Sequence, residues 1–211
     1  SFIIDSISLP RVTLQRTTGD CDDLTVLFCS LLETVGIETG YVTVSDHIFP
    51  AFCLKLKEYQ FKNILLDKDM FITDAGQLWV PLEITLLGKS DFFTAWKTAI
   101  ERYRNEIDSE RKFIRTKDAQ KIYKPIGLKE VDIGLQYGSK EEIRIEVETE
   151  VENLLDNLIL YIEEFAETKE DFNEFGILCT KLKRYTTAEY AFFKALSLEN
   201  SYIHPLMNLG N

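Results

Sequence analysis

Residues 19–36 read GDCDDLTVLFCSLLETVG, and this segment decides the fold prediction because it begins and ends like one amphipathic helix. Its apolar residues recur at intervals of three and four, which is the spacing of one helical face. They are Leu24, Leu27, Phe28, Leu31, Leu32 and Val35. Asp20 is placed to cap the N-terminus, and Gly36 stands where a left-handed residue ends a helix. We therefore predict a helix from Cys21 to Val35 with one buried face.

Short runs of β-branched and aromatic residues follow this helix and are separated by polar turns, which is typical of antiparallel strands. The predicted strands are 41–44, 47–54, 61–66 and 79–85, with a loop at 67–77. A second helix is predicted to start with Ser90 as its N-cap and to bury an aromatic stripe that includes Trp96. A helix packed on antiparallel strands indicates an α+β domain over residues 1–104.

The rest of the chain is predicted to be mainly helical. Residues 105–145 are highly charged and then irregular, which favours a surface helix or linker followed by a connection. Residues 146–165 are predicted to form a long helix whose buried face starts at Val147 and ends at Phe165. The alternation of Ile143, Ile145 and Val147 is also compatible with a short strand, so the start of the helix stays open.

A repeat is visible in the helical region 146–211. Phe175-Gly176 is followed by Ala188, Phe192 and Ala195, and Leu209-Gly210 repeats the first pair after 34 residues. This spacing resembles a tetratricopeptide repeat, in which small residues let two helices approach closely. One full repeat covers residues 169–202 and a second begins at 203, although Cys179 and Asn200 replace the usual aromatic residue and proline. We expect further repeats in the native protein, because a single repeat cannot bury its own apolar face.

The charge balance disfavours two classes of partner. The 211-residue chain carries 24 Lys and Arg against 35 Asp and Glu, so its formal net charge is −11. An acidic chain is poorly suited to phosphate backbones and to anionic membrane surfaces. We expect neither a nucleic-acid partner nor an integral membrane segment in this chain, since no apolar run approaches about 20 residues. The chain begins with Ser1 and shows no signal peptide, so we expect a processed or shortened form.

Cysteine and histidine are few, which narrows the possible chemistry. The four cysteines form no C-x-x-C pair, and the two histidines form no H-E-x-x-H motif. A zinc hydrolase is therefore disfavoured, and we expect no metal or cofactor. Cys29, Cys53 and Cys179 are predicted to be core residues. A mechanism that needs histidine must use His47 or His204, and His204 before Pro205 is predicted to be structural or exposed.

Cys21 is the candidate nucleophile. A cysteine at a helix N-terminus lies near unpaired backbone N–H groups, which favour the thiolate and can stabilise an oxyanion. The neighbouring Asp20, Asp22 and Asp23 oppose this effect, because negative charge raises the pKa of a thiol. A cationic partner would therefore matter more for the Cys21 thiolate here than in a neutral setting.

Two further residues complete a candidate triad. His47 begins a predicted strand and can act as general base, and Glu83 on another predicted strand can orient the imidazole. We predict that both lie on adjacent antiparallel strands facing Cys21. Alternative acids are Asp67, Asp69 and Asp74 in the predicted loop. Gln15, six residues before Cys21, is a weaker candidate for the oxyanion hole.

These segments resemble the transglutaminase-like superfamily, especially bacterial members in which that core is joined to tetratricopeptide repeats. The resemblance rests on the segments 19–24, 36–37, His47 and Trp79-Val80-Pro81-Leu82-Glu83, and on the order of Cys, His and acid. It covers roughly residues 5–104 and the C-terminal repeat. It implies a papain-like α+β fold and thioester-mediated acyl transfer by Cys21, His47 and Glu83. Animal transglutaminases carry Asp where this chain has Glu83, and no calcium-site pattern is present.

The resemblance implies a cysteine enzyme that acts on a peptide or protein substrate and binds a protein partner through its repeat. Hydrolysis of an amide or peptide bond is favoured over cross-linking, because nothing in the sequence suggests a dedicated amine-acceptor site. The alternative is a catalytically inactive scaffold that binds partners through the repeats. Many members of the family act outside the cytoplasm, which favours an extracytoplasmic location.

Overall fold

A computed structural model describes residues 6–57, 68–126, 129, 132–199, 201 and 203–209 of the chain. The described residues form two compact units that divide between Glu150 and Val151. The predicted strand 61–66 lies outside the described residues, as do Asp67, Asn200 and Gly210.

The first unit has an α+β architecture, as the sequence predicts. Its antiparallel sheet has the strand order β3-β4-β2-β1-β5. The strands are β1 (Thr39–Val44), β2 (His47–Lys57), β3 (Ile72–Asp74), β4 (Gln77–Pro81) and β5 (Lys112–Arg115). The helices are α1 (Pro10–Arg16), α2 (Cys21–Thr34), α3 (Phe92–Asn105), α4 (Thr116–Ile122) and the first part of α5 (Lys140–Phe165).

Helix α2 confirms the predicted caps. The Asp20 side chain accepts a hydrogen bond from the Asp23 N–H, and Gly36 adopts a left-handed φ of 77°. The Ile37 N–H bonds to the Leu32 carbonyl at 3.0 Å, which closes a Schellman motif. The predicted buried face is only partly correct, since Leu31 is half exposed while Thr25 and Cys29 are buried. The reason is that the sheet packs against the Thr25–Cys29 side of the helix.

Several predicted strand and helix boundaries were wrong. The strand expected at 79–85 is β4, which starts at Gln77 and ends at Pro81. The predicted loop 67–77 contains the short strand β3, which pairs with β4. The charged stretch expected to be surface helix or linker contains β5, which pairs with β1 and buries part of Phe113. Asp91 rather than Ser90 caps α3, because the Asp91 carboxylate accepts a hydrogen bond from the Thr94 N–H.

The aromatic stripe of α3 lies in the core, as predicted. Phe93, Trp96, Ala99 and Ile100 are buried. The Trp96 ring stacks edge-on against Phe71 with centroids 5.1 Å apart, and its indole N–H donates to the Met70 carbonyl at 2.6 Å. This packing fixes α3 beside the segment that directly precedes β3.

The second unit is helical and contains the rest of α5, α6 (Lys169–Lys181), α7 (Tyr185–Leu198) and α8 (His204–Leu209). Its core joins α5, α6 and α7 through Ile159, Ile162, Phe175, Ala188 and Phe192. A Cβ atom on Gly176 would lie 2.4 Å from Phe192 Cε1, so α6 and α7 pack at close range. A capping box at Thr168 and Asp171 begins α6.

Helix α5 begins at Lys140, six residues before the predicted start, which excludes the alternative strand at 143–147. Its predicted apolar face was partly wrong, because Val147, Val151 and Phe165 are exposed while Ile159 and Ile162 are buried. None of the helices in the described part of the chain is both long and apolar enough to span a membrane.

Candidate active site

Cys21 is the first residue of α2, at the positive end of the helix dipole. The Asp20 carboxylate accepts a hydrogen bond from the Asp23 N–H at 3.1 Å, and the Asp20 carbonyl accepts one from the Leu24 N–H at 3.0 Å. Within the described residues, no hydrogen bond engages the backbone N–H groups of Cys21 and Asp22. These two donors are the ones that an oxyanion beside the Cys21 sulfur would use.

The end of strand β4 explains how Cys21 reaches β2. Pairing between β2 and β4 continues to Ala51 opposite Pro81, and the Leu82 N–H then bonds to the Pro50 carbonyl at 2.9 Å. Beyond this point the chain turns away into a 3₁₀ turn at Ile84–Leu86. The edge of β2 before Pro50 is therefore left open, and the Cys21 sulfur lies there against the backbone N–H of Ile48.

Opposing influences act on the Cys21 thiol. Burial raises its pKa, the N–H of Ile48 lowers it, and Asp22 and Asp20 raise it further. The result is a pKa above the ordinary value of a cysteine. The raised pKa and the hydrogen bond from the thiol to Asp22 Oδ1 at 3.4 Å both favour the neutral thiol over the thiolate.

His47 and Glu83 form a close pair. His47 Nε2 lies 2.8 Å from Glu83 Oε2 and 3.1 Å from Oε1. His47 is the first residue of β2, directly before the Ile48 that faces Cys21. Glu83 is not on a strand, contrary to the prediction, but caps the 3₁₀ turn two residues after β4. The residue is 1% exposed.

A set of hydrogen bonds fixes the Glu83 carboxylate. Thr85 donates to Oε1 from its hydroxyl at 2.6 Å and from its backbone N–H at 3.3 Å, and Arg102 Nε lies 3.2 Å from Oε2. Burial raises the pKa of Glu83, but the hydrogen bonds from Thr85 and His47 outweigh it and lower the pKa below its ordinary value. Glu83 is therefore ionised at neutral pH.

The charge state of Glu83 determines the tautomer of His47. An ionised carboxylate accepts hydrogen bonds and cannot donate them, so His47 Nε2 must carry the proton. In the neutral imidazole, Nδ1 then holds the lone pair and is the nitrogen that can act as a base. The acid of a nucleophile–base–acid triad makes the same kind of hydrogen bond to its histidine.

The structure brings two of the three predicted residues into contact, His47 and Glu83, while Cys21 lies against the neighbouring residue Ile48. His47 bonds to Glu83, while the thiol of Cys21 bonds to Asp22. Among the described residues, no hydrogen bond joins Cys21 Sγ to the His47 ring. The link between Cys21 and the pair is the backbone of Ile48.

The alternative residues lie elsewhere. Asp74 pairs with Arg115, and Asp69 pairs with Arg104 at 2.8 Å, whereas the carboxylate bonded to His47 is that of Glu83. Gln15 is exposed on α1, and His204 is exposed at the start of α8. The core prediction for Cys29, Cys53 and Cys179 is confirmed, because all three are buried. Burial raises the pKa of both Cys29 and Cys179 to about 11.

Sequence reasoning missed two residues that support the site, Thr85 and Arg102, and the supporting role of a third, Asp23. Thr85 and Arg102 hold Glu83, as described above. Asp23 accepts a hydrogen bond from the Ser8 N–H at 2.6 Å and so ties the segment before α1 to the start of α2. The pattern Glu83-x-Thr85 after a strand is a local capping signal that could have indicated the turn. Nothing in the sequence places Arg102, which is 19 residues away.

No group of three or more His, Cys, Asp or Glu side chains converges within the described ranges in a way that could hold a metal ion. Comparisons with protein-family models, curated proteins and solved structures find no match to this chain. The function must therefore be argued from the geometry of Cys21, His47 and Glu83.

Proposed function

We propose that this protein is a cysteine acyl-transfer enzyme with a papain-like, transglutaminase-type core, in which Cys21 is the nucleophile, His47 the base and Glu83 the orienting acid. The observation that carries the proposal is the buried, ionised Glu83 bound to His47 Nε2, next to the residue whose N–H faces Cys21. A buried carboxylate that holds an imidazole beside a thiol at a helix N-terminus is the arrangement that thioester chemistry requires.

In the acylation step, His47 Nδ1 takes the thiol proton and the sulfur forms a bond to the acyl carbon. The carbonyl electrons move to oxygen, and the N–H groups of Cys21 and Asp22 are placed to stabilise the oxyanion. The intermediate collapses when the C–N bond breaks, and the leaving amine takes its proton from His47. The product of this half-reaction is a Cys21 thioester and a free amine.

The second half-reaction returns the enzyme to its starting state. Water, or a second amine, gives a proton to His47 and attacks the thioester carbon. The C–S bond breaks, Cys21 leaves as thiolate, and it recovers the proton from His47. We favour water as acceptor, so the proposed reaction is hydrolysis of an amide or peptide bond.

The test is capture of the thioester. The protein is incubated with glutaminyl and peptidyl amides, and the intact mass, released ammonia and released peptide are followed. We expect an acyl adduct on Cys21 and loss of turnover in Cys21→Ser, with turnover retained in the buried-cysteine control Cys53→Ala. Added hydroxylamine should divert the acyl group if an amine can replace water. Turnover by Cys21→Ala would exclude the thioester mechanism.

A second candidate function is an inactive scaffold that binds a protein partner through tetratricopeptide-type helices. The raised pKa of Cys21 and its hydrogen bond to Asp22 favour it, because both keep the thiol neutral. The close packing of Gly176 against Phe192 supports the repeat-type helix pair. In that case no donor would acylate Cys21, and Cys21→Ser would leave cellular function unchanged.

A further inference from the structure

The last turn of α3 lies against the carboxylate of Glu83. Arg102, in that turn, places its Nε atom 3.2 Å from Glu83 Oε2. The same oxygen is the one closer to His47 Nε2, at 2.8 Å. The other oxygen, Oε1, accepts hydrogen bonds from the hydroxyl and the N–H of Thr85. Glu83 Oε2 is therefore shared between a guanidinium and an imidazole.

The segment that follows α3 is anchored to the turn before His47. The Ser45 N–H donates to Glu106 Oε2 at 2.8 Å, and the Ser45 hydroxyl donates to Glu110 Oε2 at 2.5 Å. Ser45 precedes His47 by two residues. The end of α3 and the segment after it thus contact the pair from two sides, at Glu83 through Arg102 and at the turn before His47 through Glu106 and Glu110.

The burial of the ion pair between Arg102 and Glu83 is unequal. The side chain of Glu83 is 2% exposed, while that of Arg102 is 51% exposed. Ion pairs with an exposed member contribute little to folding stability. A charge beside a buried carboxylate nevertheless acts on the other partner of that carboxylate, because buried charges are screened less than exposed ones. We therefore expect Arg102 to matter more for the His47 imidazole than for the stability of the fold.

The charges of Glu83 and Arg102 act in opposite directions on His47. In the proposed reaction His47 accepts the thiol proton and becomes an imidazolium, which the ionised Glu83 stabilises. A guanidinium on the same carboxylate oxygen disfavours a second positive charge nearby. The balance between the two charges sets how readily His47 gives its proton to the leaving amine, and a base works best when this balance suits the pH of operation.

We infer that Arg102 is a positioning residue of the proposed active site, which acts through Glu83 Oε2 and keeps the His47 imidazole from holding its second proton too tightly. The inference rests on the proposed function, because it concerns the base that is proposed to serve Cys21. It assigns to the end of α3 a part in setting the pH range in which Cys21 reacts.

Three variants separate the charge of Arg102 from other effects. Arg102→Gln removes the charge and keeps a polar side chain, whereas Arg102→Lys keeps the charge. Arg104→Gln is the matched control, because it makes the same change in net charge two residues further along α3, where Arg104 pairs with Asp69 at 2.8 Å. The other charged residues on the elements next to the pair are the same in all variants; they are Asp20, Asp22, Asp46, Lys89, Glu106 and Glu110.

The first arm of the test does not depend on catalysis. The imidazole NMR signals of the full chain are followed against pH, and the two histidines are assigned with His204→Gln. In Arg102→Gln the His47 signals should titrate at a midpoint about 0.5 pH unit or more above that of the native protein. Arg102→Lys and Arg104→Gln should match the native protein, and the His204 signals should titrate alike in these proteins. An unchanged or lower His47 midpoint in Arg102→Gln, or an equal shift in Arg104→Gln, would overturn the inference.

The second arm measures the rate of Cys21 acylation against pH. On the acid side of the profile Arg102→Gln should react roughly threefold more slowly than the native protein, and the two rates should converge as the pH rises. Arg102→Lys should restore the native profile. Thermal unfolding of Arg102→Gln should resemble that of Arg104→Gln, and a lower melting temperature with an unchanged pH profile would show a merely structural contact and overturn the inference. Failure to acylate Cys21 in every protein would instead remove the proposed function, and the NMR titration would still decide the role of Arg102.

Discussion

Glu83 Oε2 and His47 Nε2 lie 2.8 Å apart, although the two residues are 36 positions apart in sequence and Glu83 is almost fully buried. The pair forms because β2 and β4 are neighbouring antiparallel strands, so the start of β2 and the residues after β4 meet at one end of the sheet. A buried carboxylate needs partners to offset its lost hydration. Besides His47, the partners of the Glu83 carboxylate are Thr85 and Arg102.

Glu83→Gln should lower the turnover number by about a hundredfold or more, but by less than Cys21→Ser. The neutral amide no longer requires the proton on His47 Nε2 and no longer stabilises the imidazolium that forms during the reaction. The matched control is Thr85→Val, which removes one hydrogen bond to Glu83 and should reduce the turnover number by less than about tenfold. Full activity in Glu83→Gln, measured with the best donor, would contradict the orienting role.

The stability of the first unit should fall in acid because of Glu83. Its pKa is lower in the folded state than its ordinary value of 4.5, so its stabilising contribution is present above about pH 4.5. This contribution is lost as the pH falls through the lowered folded-state pKa. Urea unfolding of the native protein and Glu83→Gln between pH 2 and 7 should therefore show a shallower acid dependence in the variant. If the stability of the two proteins falls in parallel with pH, Glu83 takes up no proton on unfolding between pH 2 and 7.

Asp22→Asn should increase the rate at which Cys21 is alkylated at neutral pH severalfold. Asp22 raises the pKa of the Cys21 thiol through both its hydrogen bond and its charge, so removing the charge increases the thiolate fraction. Asp20→Asn is the matched control, because asparagine still caps α2 and the charge of Asp20 has a smaller effect. Mass spectrometry across a pH series should show Cys21 labelled before Cys29, Cys53 and Cys179. Slower labelling of Asp22→Asn would refute this account of the thiol.

Gly19→Ala should destabilise the N-terminal part of the first unit and reduce any Cys21 activity. A Cβ atom at position 19 would lie 2.7 Å from Asp23 Cβ and 3.1 Å from Thr13 Cγ2, so the start of α2 would have to shift. Overpacking of this kind costs about 1–3 kcal/mol. Gly36→Ala is the control, because its methyl group would meet no atom within 4 Å. It tests only the cost of a side chain on a left-handed backbone. Thermal unfolding and the rate of Cys21 alkylation are measured for Gly19→Ala, Gly36→Ala and the native protein. An unchanged alkylation rate in Gly19→Ala would show that the reactivity of Cys21 does not depend on the position of the start of α2.

Ala188→Leu should destabilise the second unit by about 1–3 kcal/mol. Ala188 is buried in the cluster that contains Phe175 and Phe192, so a larger side chain would overpack this cluster. Glu189→Leu is the control, because residue 189 is exposed on the same helix. Chemical unfolding followed by circular dichroism measures both variants. Equal stability of the two variants would show that α6 and α7 are not tightly packed at this position.

The sequence by itself determined the features that depend on local physical chemistry. Asp20 and Gly36 fix the ends of α2 through backbone hydrogen bonds to nearby residues, so both caps could be predicted. The apolar stripe around Trp96 predicted the buried face of α3, because the spacing of apolar residues along a helix is also a local property of the sequence. The buried state of Cys29, Cys53 and Cys179 followed from the general preference of cysteine for the core.

Only the tertiary structure decided what depends on residues distant in the chain. The charged sequence of β5 carries little strand signal, and β5 is a strand because it pairs with β1 at the sheet edge. The position of Arg102 beside Glu83 depends on how α3 packs, which no local pattern encodes. The orientation of the Cys21 thiol toward Asp22 and Ile48 depends on where β4 leaves β2. Long-range contacts of this kind set the burial and charge around Cys21, His47 and Glu83, and burial and charge determine the chemistry of these side chains.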